Sequence, residues 1–275
     1  MKKIYVTFGG SMYDETTQRI VEDAPKLGVD EVRVYDDKWL TEQPFFEQNQ
    51  WIFRKLSKGQ HRGFGWYSWK PFVILQAIES VERVELCNPV WTDSRSPDAP
   101  IILWTDADTY PIGDLTPLFE QCHKDGGIML FAAEGCAQGT WTKRDCMIAM
   151  GADELTANPN YRTWPHATAR FALFECGNWR TKQFLMEWLA YCLNPLCVGL
   201  EPSMLAPEYP EFNEHRSDQS ILANLAHKYA IPLYREADQF GDGTDRNRDL
   251  YGTVFHQIGQ YDKLRNLNGS RYRNV

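Results

Sequence analysis

The run Ile101–Trp104 (IILW) constrains the fold of this chain more than any other feature, because all four of its side chains are apolar. A strand without polar alternation is typical of a sheet position that helices cover on both faces. Lys3–Phe8 and Glu31–Tyr35 are further candidate strands, and a helical pattern over Asp14–Ala24 lies between them. A strand, a helix and a second strand in this order form a βαβ unit, so the sequence predicts an α/β fold with parallel strands.

The rest of the chain continues to alternate between helical and strand patterns. It shows no internal repeat and no clear linker, so we predict a single domain over residues 1–275. Asn194–Glu214 contains four prolines and is predicted to be irregular, as a lid or a substrate loop. The other predicted elements are the helices Trp51–His61, Lys70–Val81, Asp114–Gln121, Thr181–Cys192 and Ser217–Tyr229 and the strands Ile128–Ala133, Ala169–Glu175, Ile231–Tyr234 and Tyr251–His256.

Composition excludes some classes of protein. Of the 275 residues, 43% are hydrophobic, which is enough to build a sizeable core. The net charge of −8 argues against a nucleic-acid partner, since such proteins usually carry a basic surface. The seven cysteines include no CxxC pair, which favours free thiols in a reducing compartment. Without a signal peptide or a run of about 20 apolar residues, a soluble cytoplasmic protein is expected, and the basic segment LRNLNGSRYRNV leaves peripheral membrane contact open.

Two acidic residues, Asp106 and Asp108, follow the apolar run Ile101–Trp104 after a single threonine. Ligands of open α/β sheets bind beyond the carboxyl ends of the strands, where both carboxylates can reach one divalent cation. Mg²⁺ and Mn²⁺ prefer oxygen ligands, and such a cation can neutralise the charge of a leaving diphosphate. The alternative is an ordinary surface turn, in which Asp is common. The apolar strand in front of the two acids favours the metal site.

His256 ends the last predicted strand and could complete the shell of the cation with a neutral imidazole. An isolated histidine is more often a hydrogen-bonded core residue, but Gly259 permits close backbone approach and Lys263 could bind a diphosphate. Lys70 is a second candidate for the diphosphate, because it lies where the loop GFGWYSW meets a helix and backbone N–H groups attract anions. The aromatic residues of that loop, Trp69 among them, either frame a base or sugar or pack in the core.

Asp218 and Gln219 open a predicted helix for which Ser217 is a candidate N-cap. Asp218 either favours the helix dipole or serves as an acceptor for a sugar hydroxyl or as a catalytic base, with Gln219 beside the reacting carbon. Asp145 belongs to another charged group, Trp141–Asp145 (WTKRD), at the start of a helix. That group could contact donor phosphate or an acceptor, although a solvated face is the slightly favoured interpretation.

Three motifs, in order along the chain, resemble those of GT-A fold glycosyltransferases, especially family 8. WTDADTYPIGDLTPLFE resembles the DxD strand and the following helix, SDQSILA resembles the DQxxLN helix, and HQIGQYDK resembles the late HxxGxK segment. ATARFALFECGNW lies where that family has an Asn-Ser-Gly strand, but the Asn-Ser-Gly is missing here. GFGWYSWKPF resembles a group of small bacterial and large-virus glycosyltransferases related to family 8.

The resemblance implies a GT-A, Rossmann-like mixed sheet flanked by helices, with a donor-binding part over about 1–135 and an acceptor and catalytic part over about 136–265. It implies a metal-dependent transfer of a sugar from a nucleoside diphosphate sugar, with a UDP-sugar favoured, to a hydroxyl of a glycan acceptor. Asp106, Asp108 and His256 would hold Mn²⁺ or Mg²⁺. The donor would contact Thr7, Phe8, Tyr13, Trp69, Lys70, Asp106, Ala107, Gly259 and Lys263, and the catalytic candidates are Asp218, Gln219 and Asp145.

Two other functions remain open. A sugar nucleotidyltransferase also joins an α/β sheet to a metal, but the segment FGGS at positions 8–11 lacks the basic residue that its N-terminal loop usually carries. A non-catalytic glycan-binding protein or scaffold on the same fold would show no metal-dependent donor binding. Stereochemistry is open as well, because inversion would need a base such as Asp218 or Asp145, whereas retention could place Gln219 near the anomeric carbon.

Overall fold

A mixed β-sheet forms the centre of the computed structural model, which describes residues 1–9, 13–54, 64–85, 96–153, 161–243 and 248–258. The strands are β1 (Lys3–Phe8), β2 (Glu31–Tyr35), β3 (Ile101–Asp106), β4 (Thr109–Pro111), β5 (Ile128–Ala137), β6 (Pro165–Glu175), β7 (Leu233–Tyr234) and β8 (Phe255–Gln257). Six of them form one sheet in the order β2-β1-β3-β6-β5-β7, and β4 pairs with β8 in a second, two-stranded sheet. The predicted single α/β domain with a mixed sheet is confirmed.

The strand directions bring several strand ends to one edge of the sheet. β1 pairs in parallel with both β2 and β3, and β5 pairs in parallel with β7. β6 is antiparallel to its neighbours β3 and β5. The carboxyl ends of β1, β3, β5 and β7 therefore lie at the same edge as the amino end of β6, and this edge is the predicted place for a ligand.

Helices cover both faces of the sheet, as the apolar run in β3 predicts. The helices are α1 (Asp14–Asp23), α2 (Asp37–Thr41), α3 (Pro44–Gln48), α4 (Gln50–Arg54), α5 (Lys70–Glu85), α6 (Thr116–Lys124), α7 (Gln138–Trp141), α8 (Arg144–Ala149), α9 (Trp179–Cys192), α10 (Pro195–Val198), α11 (Asp218–Lys228) and α12 (Arg248–Tyr251). Ile102 and Trp104 of β3 belong to the core beneath α5, α9 and α11. Ile101 and Leu103 belong to the core beneath α1 and α6, as expected when side chains alternate along a strand.

Predicted and observed elements agree closely where the local pattern is strong. β1 and β2 have the predicted bounds, and α5 extends the predicted helix to Glu85. The segment Asn194–Glu214 is irregular apart from the single turn α10. The predicted helix Trp51–His61 is observed as α4, and its part beyond residue 54 lies outside the described residues.

Two strand predictions were wrong by four residues at the amino end. β6 begins at Pro165 rather than at Ala169, because His166 and Thr168 are polar but buried and so do not continue the apolar pattern. The last strand begins at Phe255 rather than at Tyr251. Tyr251 instead ends α12, where its hydroxyl donates a hydrogen bond to the carbonyl of Arg235 at 2.6 Å.

The described cysteines and helices were compared with the predictions of free thiols and of no membrane span. The six cysteines within the described ranges are all free, and five of them are buried. None of the helices in those ranges has the length and apolar character that a membrane span requires.

Candidate functional site

A cavity of about 580 Å³ opens at the edge of the sheet where the carboxyl ends of the strands meet. Its size is within the usual range for small-molecule sites. The ends of β3, β5 and β7, the first half of β6 and the first turns of α5 and α11 contribute its walls. Its lining includes the side chains of Tyr67, Lys70, Asp106, Asp108, Glu134, Cys136, Trp141, Arg170, Arg216, Ser217, Asp218, Gln219, Glu236 and Gln257.

Lys70 joins three elements at the floor of the cavity. It is the first residue of α5, as predicted, and is only 2% exposed. Its Nζ lies 2.8 Å from Asp106 Oδ1 at the end of β3 and 3.3 Å from Asp218 Oδ2 at the start of α11. It also donates a hydrogen bond to the carbonyl of Ala169 in β6 at 2.9 Å. One ammonium group therefore connects two of the carboxylates that the sequence predicted as site residues.

The electrostatics of these three groups are set by burial and by their mutual charges. Burial by itself would lower the pKa of Lys70, but the carboxylates of Asp106 and Asp218 outweigh it and hold that pKa above its ordinary value. Burial raises the pKa of Asp218 to about 6, against the opposing effect of Lys70. Burial also raises the pKa of Asp106. At neutral pH, the protonated lysine therefore offsets much of the negative charge of the two acids.

Arg170 organises the opposite side of the cavity. It projects from β6, forms an ion pair with Glu236 and lies 3.4 Å from Asp238 Oδ2. It also donates to the side-chain oxygen of Gln257, whose amide nitrogen lies 3.4 Å from Asp108 Oδ2. Arg170 thus holds Asp108 in place through Gln257.

Gln219 lies beside a buried, neutral histidine. Its amide nitrogen is 3.2 Å from Nδ1 of His166, and Nε2 of that ring is 3.5 Å from the hydroxyl of Thr142. Burial lowers the pKa of His166 to about 3, so the ring is uncharged at neutral pH. A polar scaffold without charge therefore orients the Gln219 amide at the cavity wall.

Ser217 has a strained backbone next to these residues. Its φ of 46° and ψ of −116° are rare for a residue with a side chain. Among the described residues, its buried hydroxyl has no hydrogen-bond partner and does not cap α11. The N-cap prediction gave the right position but the wrong interaction, because a capping side chain requires an extended backbone.

The aromatic loop in front of α5 is strained as well. Gly65, Trp66 and Tyr67 all have φ between 51° and 59°. This turn places the ring of Tyr67 at the cavity, with its centroid 5.5 Å from the Lys70 Nζ. Burial raises the pKa of Tyr67 to about 12, so its phenol stays neutral. Tyr67 therefore presents an uncharged ring and hydroxyl to a ligand.

Five of the sequence-predicted site residues line the cavity: Lys70, Asp106, Asp108, Asp218 and Gln219. Three donor candidates belong to the core instead. The hydroxyl of Thr7 is buried and donates to the carbonyl of Thr105, and Phe8 packs against the Trp69 ring with 4.0 Å between centroids. Trp69 is buried and donates its indole N–H to the carbonyl of Phe64.

Two further donor candidates, Tyr13 and Ala107, are not among the described residues that line the cavity. Tyr13 is partly exposed at the start of α1, and Ala107 is buried between the two acids. Gly259 and Lys263 lie outside the described residues.

Asp145 has a structural position. It is buried in α8, and its carboxylate accepts hydrogen bonds from the backbone N–H groups of Met204 and Leu205 at 2.9 and 2.8 Å. Asp145 therefore anchors the irregular segment before α11. It is not among the described residues that line the cavity. Lys143 is buried too, so the interpretation of this group as a solvated face was wrong.

His256 and its neighbour face different surroundings. His256 pairs with Tyr110 across β8 and β4, and the two ring centroids are 5.4 Å apart. Gln257, which points to the other side of the strand, reaches Asp108 and the cavity. The described residues contain no group of three or more His, Cys, Asp and Glu side chains arranged as metal ligands. The structure thus brings Asp106 and Asp108 to the cavity but not His256.

Several cavity residues were missed as candidates from the sequence. Glu134 directly follows the apolar first six residues of β5, much as Asp106 follows the apolar part of β3, so the strand-end rule could have identified it. Arg170 was marked only by being a charged residue inside the apolar run of β6. Glu236 follows the two-residue strand β7, which is too short to give a periodic signal.

Comparison with known proteins finds similarity among solved structures. No protein-family profile matches the chain, and no curated protein does. Mouse xyloside xylosyltransferase 1 matches with a TM-score of 0.45 and 11% identity, over 95% of this chain and 99% of that one. A glycosyltransferase involved in glycosylating the major capsid of PBCV-1 matches with 0.46 and 10%, over 96% and 98%. The galactosyltransferase LgtC, solved with donor and acceptor sugar analogues, matches with 0.42 and 14%, over 94% and 87%.

These solved structures are glycosyltransferases, the class that the sequence motifs resemble. Their sequence identities to this chain are 10 to 14%.

Proposed function

We propose that the protein is a metal-dependent glycosyltransferase that moves a sugar from a nucleoside diphosphate sugar, with a UDP-sugar favoured, to a hydroxyl of a glycan acceptor. The observation that carries this proposal is the position of Asp106 and Asp108. Asp106 ends the buried central strand β3 and Asp108 follows two residues later, and both line a cavity whose other walls hold Lys70, Asp218 and Gln219. Free thiols among the described cysteines agree with a reducing compartment such as the cytoplasm.

The charge of the cavity supports a divalent cation. Five carboxylates line it, against three cationic side chains. The acids are Asp106, Asp108, Glu134, Asp218 and Glu236, and the cations are Lys70, Arg170 and Arg216. A diphosphate would be repelled from such a wall unless a cation entered with it. A bound Mn²⁺ or Mg²⁺ would make the cavity suitable for an anionic donor.

The two strand-end acids fit such a cation. Asp106 uses Oδ1 to pair with Lys70 but keeps 30% of its side chain exposed. The oxygens of Asp108 contact the neutral groups of Thr109 and Gln257. Mg²⁺ and Mn²⁺ commonly use one or two carboxylates and complete their shell with substrate phosphates and water. His256 remains a proposed third ligand, and the cation would stabilise the charge of the leaving diphosphate.

The side chains around the cation would position the donor and the departing group. In the transfer, the bond between the anomeric carbon and the phosphate oxygen breaks and the acceptor oxygen bonds to that carbon. The acceptor proton leaves with a base or with the departing nucleoside diphosphate. The positive charge of Lys70 lies where it favours the diphosphate, and Asp218 would accept a hydrogen bond from a hydroxyl of the donor sugar.

Two stereochemical courses make different use of the walls. In a retaining transfer, the amide of Gln219, oriented by His166, would lie near the anomeric carbon. In an inverting transfer, a carboxylate on the acceptor side would take the proton, and Glu134 is a partly exposed candidate there. NMR of the anomeric proton of the product distinguishes the two courses.

Calorimetry tests the proposal at the binding step. UDP should bind in the presence of Mn²⁺ and bind much more weakly with a chelator, because the cavity is acidic without the cation. Equal binding in both conditions, or none in either, would contradict the proposal and favour a non-catalytic protein. Release of pyrophosphate from UTP and a sugar phosphate would indicate a nucleotidyltransferase instead.

Replacing Asp108 tests the metal assignment. We expect Asp108→Ala to abolish turnover while the melting temperature stays close to that of the wild type, since Asp108 faces the cavity. Asp98→Ala is a matched control, because Asp98 is an exposed acid outside the cavity. Wild-type turnover in Asp108→Ala would refute the assignment.

A further inference from the structure

Tyr67 lines the main cavity with a hydroxyl that the protein itself does not use. The residue lies beside Lys70, and 40% of its surface is exposed. Within the described ranges, the phenolic hydroxyl has no hydrogen-bond partner. A polar group that borders a cavity without a partner of its own is available to a ligand.

The backbone in front of α5 has a rare conformation that presents this side chain. Trp66 and Tyr67 have φ values of 51° and 59°, in the left-handed region that residues with a side chain seldom adopt. At Gly65, whose φ is 58°, a Cβ would lie 2.7 Å from the ring of Phe53, so only glycine fits. The N–H of Ser68 donates to the carbonyl of Gly65 at 3.0 Å and closes the turn.

The strain achieves different things at the two aromatic residues. Trp66 is 1% exposed and packs in the core above the sheet, so its burial offsets its unfavourable backbone. Tyr67 leaves the core and meets the cavity, where packing offsets much less. Strained residues with side chains are concentrated at ligand and active sites, which makes the position of Tyr67 an indication of function.

The charges around the hydroxyl define what it can bind. Burial, followed by the charge of Asp106, raises the pKa of Tyr67 to about 12, although Lys70 opposes this shift. The phenol therefore keeps its proton at neutral pH and can donate a hydrogen bond. The Lys70 ammonium, 5.5 Å from the ring centroid, attracts an anionic oxygen to the same wall. A neutral donor beside a cation suits a phosphate oxygen.

We propose that Tyr67 is a catalytic residue that donates a hydrogen bond to the departing diphosphate. As the bond between the anomeric carbon and the phosphate oxygen breaks, its electron pair stays on that oxygen and negative charge grows on the diphosphate. The O–H of Tyr67 donates to a phosphate oxygen and keeps its proton, while the acceptor oxygen forms the new bond to the carbon. This inference rests on the proposed glycosyl transfer and adds an uncharged donor to the lysine and the cation.

A hydroxyl of the donor sugar is the competing ligand for this phenol. Asp218, which is proposed to accept a hydrogen bond from the donor sugar, also acts on Tyr67 through its charge. The two ligands can be separated because UDP carries the diphosphate but no sugar. Binding of UDP therefore depends on Tyr67 only if the phenol contacts the diphosphate.

Tyr67→Phe removes the hydroxyl and keeps the ring and the backbone conformation. Its melting temperature should match that of the wild type, because the hydroxyl has no partner in the described protein. Tyr191→Phe is the matched control. Tyr191 is also partly exposed, has no hydrogen-bond partner within the described ranges and is not among the described residues that line the cavity.

Two measurements report on the role of the hydroxyl: hydrolysis of a panel of nucleotide sugars in Mn²⁺, and calorimetry of UDP in Mn²⁺. In Tyr67→Phe, we expect kcat to fall by roughly 10- to 100-fold, the usual effect of losing a hydrogen bond to a charged oxygen. The KM for the donor should stay within about threefold, because the charge develops only as the bond breaks. The affinity for UDP, which carries that charge, should fall by at least about fivefold. Tyr191→Phe should match the wild type in both.

Wild-type kcat in Tyr67→Phe would overturn the inference. Loss of turnover with unchanged affinity for UDP would also overturn it, because the phenol would then bind the sugar. A lower melting temperature of this variant would show that the hydroxyl is bonded within the protein, which contradicts the premise. Failure of the underlying function is distinguishable, since the wild type would then consume no donor and bind no UDP in Mn²⁺.

Discussion

Lys70 is the residue whose replacement should disturb both the fold and the candidate site most. Lys70→Met keeps the length and the apolar stem of the side chain but removes the charge between Asp106 and Asp218. Methionine adapts to irregular buried space, so the loss of packing should be small. The change in stability therefore reports mainly the electrostatic role of the ammonium group.

The distances set the expected magnitude. At an effective dielectric constant of about 20, unit charges 2.8 and 3.3 Å apart attract each other by roughly 6 and 5 kcal/mol. Removing the ammonium from water offsets several kcal/mol of this attraction. Deleting one partner of a buried ion pair nevertheless costs about 3–5 kcal/mol, because the remaining charge is uncompensated. We expect Lys70→Met to lower the free energy of unfolding by about 3–5 kcal/mol near neutral pH.

The loss should depend on pH with a defined sign. The pKa of Asp218 in the folded protein, about 6, is above its ordinary value of 3.8, so protonation favours the folded state as the pH falls between these values. Without Lys70, burial acts on both acids unopposed and raises their pKa values further. The deficit of Lys70→Met should therefore be largest above neutral pH and shrink as the acids protonate toward pH 5.

Urea unfolding followed by tryptophan fluorescence at about pH 5 and about pH 7.5 measures this deficit. Adding Asp218→Asn to Lys70→Met should restore part of the lost stability, because it removes one of the uncompensated carboxylates. A deficit below about 1 kcal/mol, or one that is equal at both pH values, would show that the ion pairs do not stabilise the fold.

Three further predictions concern other parts of the chain. Ser217→Gly should raise the free energy of unfolding by about 1 kcal/mol, because glycine adopts the positive φ without strain, whereas Ser217→Ala should not raise it. Urea unfolding measures both variants, and equal free energies of unfolding for the two would rule out the strain. Burial raises the pKa of Glu82 from 4.5 to about 7, so ionisation should lower wild-type stability relative to Glu82→Gln by up to about 3 kcal/mol as the pH rises through that range; a pH-independent difference would contradict this. Asp145→Ala should cost roughly 2–4 kcal/mol and speed hydrogen exchange at the amides of Met204 and Leu205, and unchanged exchange would disprove the anchoring role.

Local sequence patterns determined the framework of the site. The strands β1 and β2 have their predicted bounds because β-branched and aromatic residues between turn residues leave little choice of structure. The apolar run of β3 predicted a buried central strand, and the strand-end rule then placed Asp106 and Asp108 at the ligand edge. Lys70 and Asp218 begin their helices as predicted, since a helix start is encoded by a few neighbouring residues.

Tertiary structure decided which of these residues meet, and which do not. β6 enters antiparallel between β3 and β5, and this pairing brings Arg170 to Gln257 and Asp108 although the residues are far apart in sequence. Register across a sheet depends on the whole hydrophobic face rather than on any local pattern, so the sequence did not reveal this contact. For the same reason, it did not reveal the bulge in β5 beside Glu134.

For the aromatic and acidic candidates too, the sequence left alternatives open and the tertiary contacts decided between them. Composition alone left Trp69 either in the core or at a ligand, and packing against Phe8 and Trp104 decided for the core. The sequence slightly favoured a solvated face for the charged group that contains Asp145, but two backbone amides of a distant segment made this residue an anchor. The sequence by itself determined most of the longer strands and helices and which of their ends carry charge. The nonlocal packing of those elements decided which charges share a cavity, because burial and pairing depend on neighbours that lie far away along the chain.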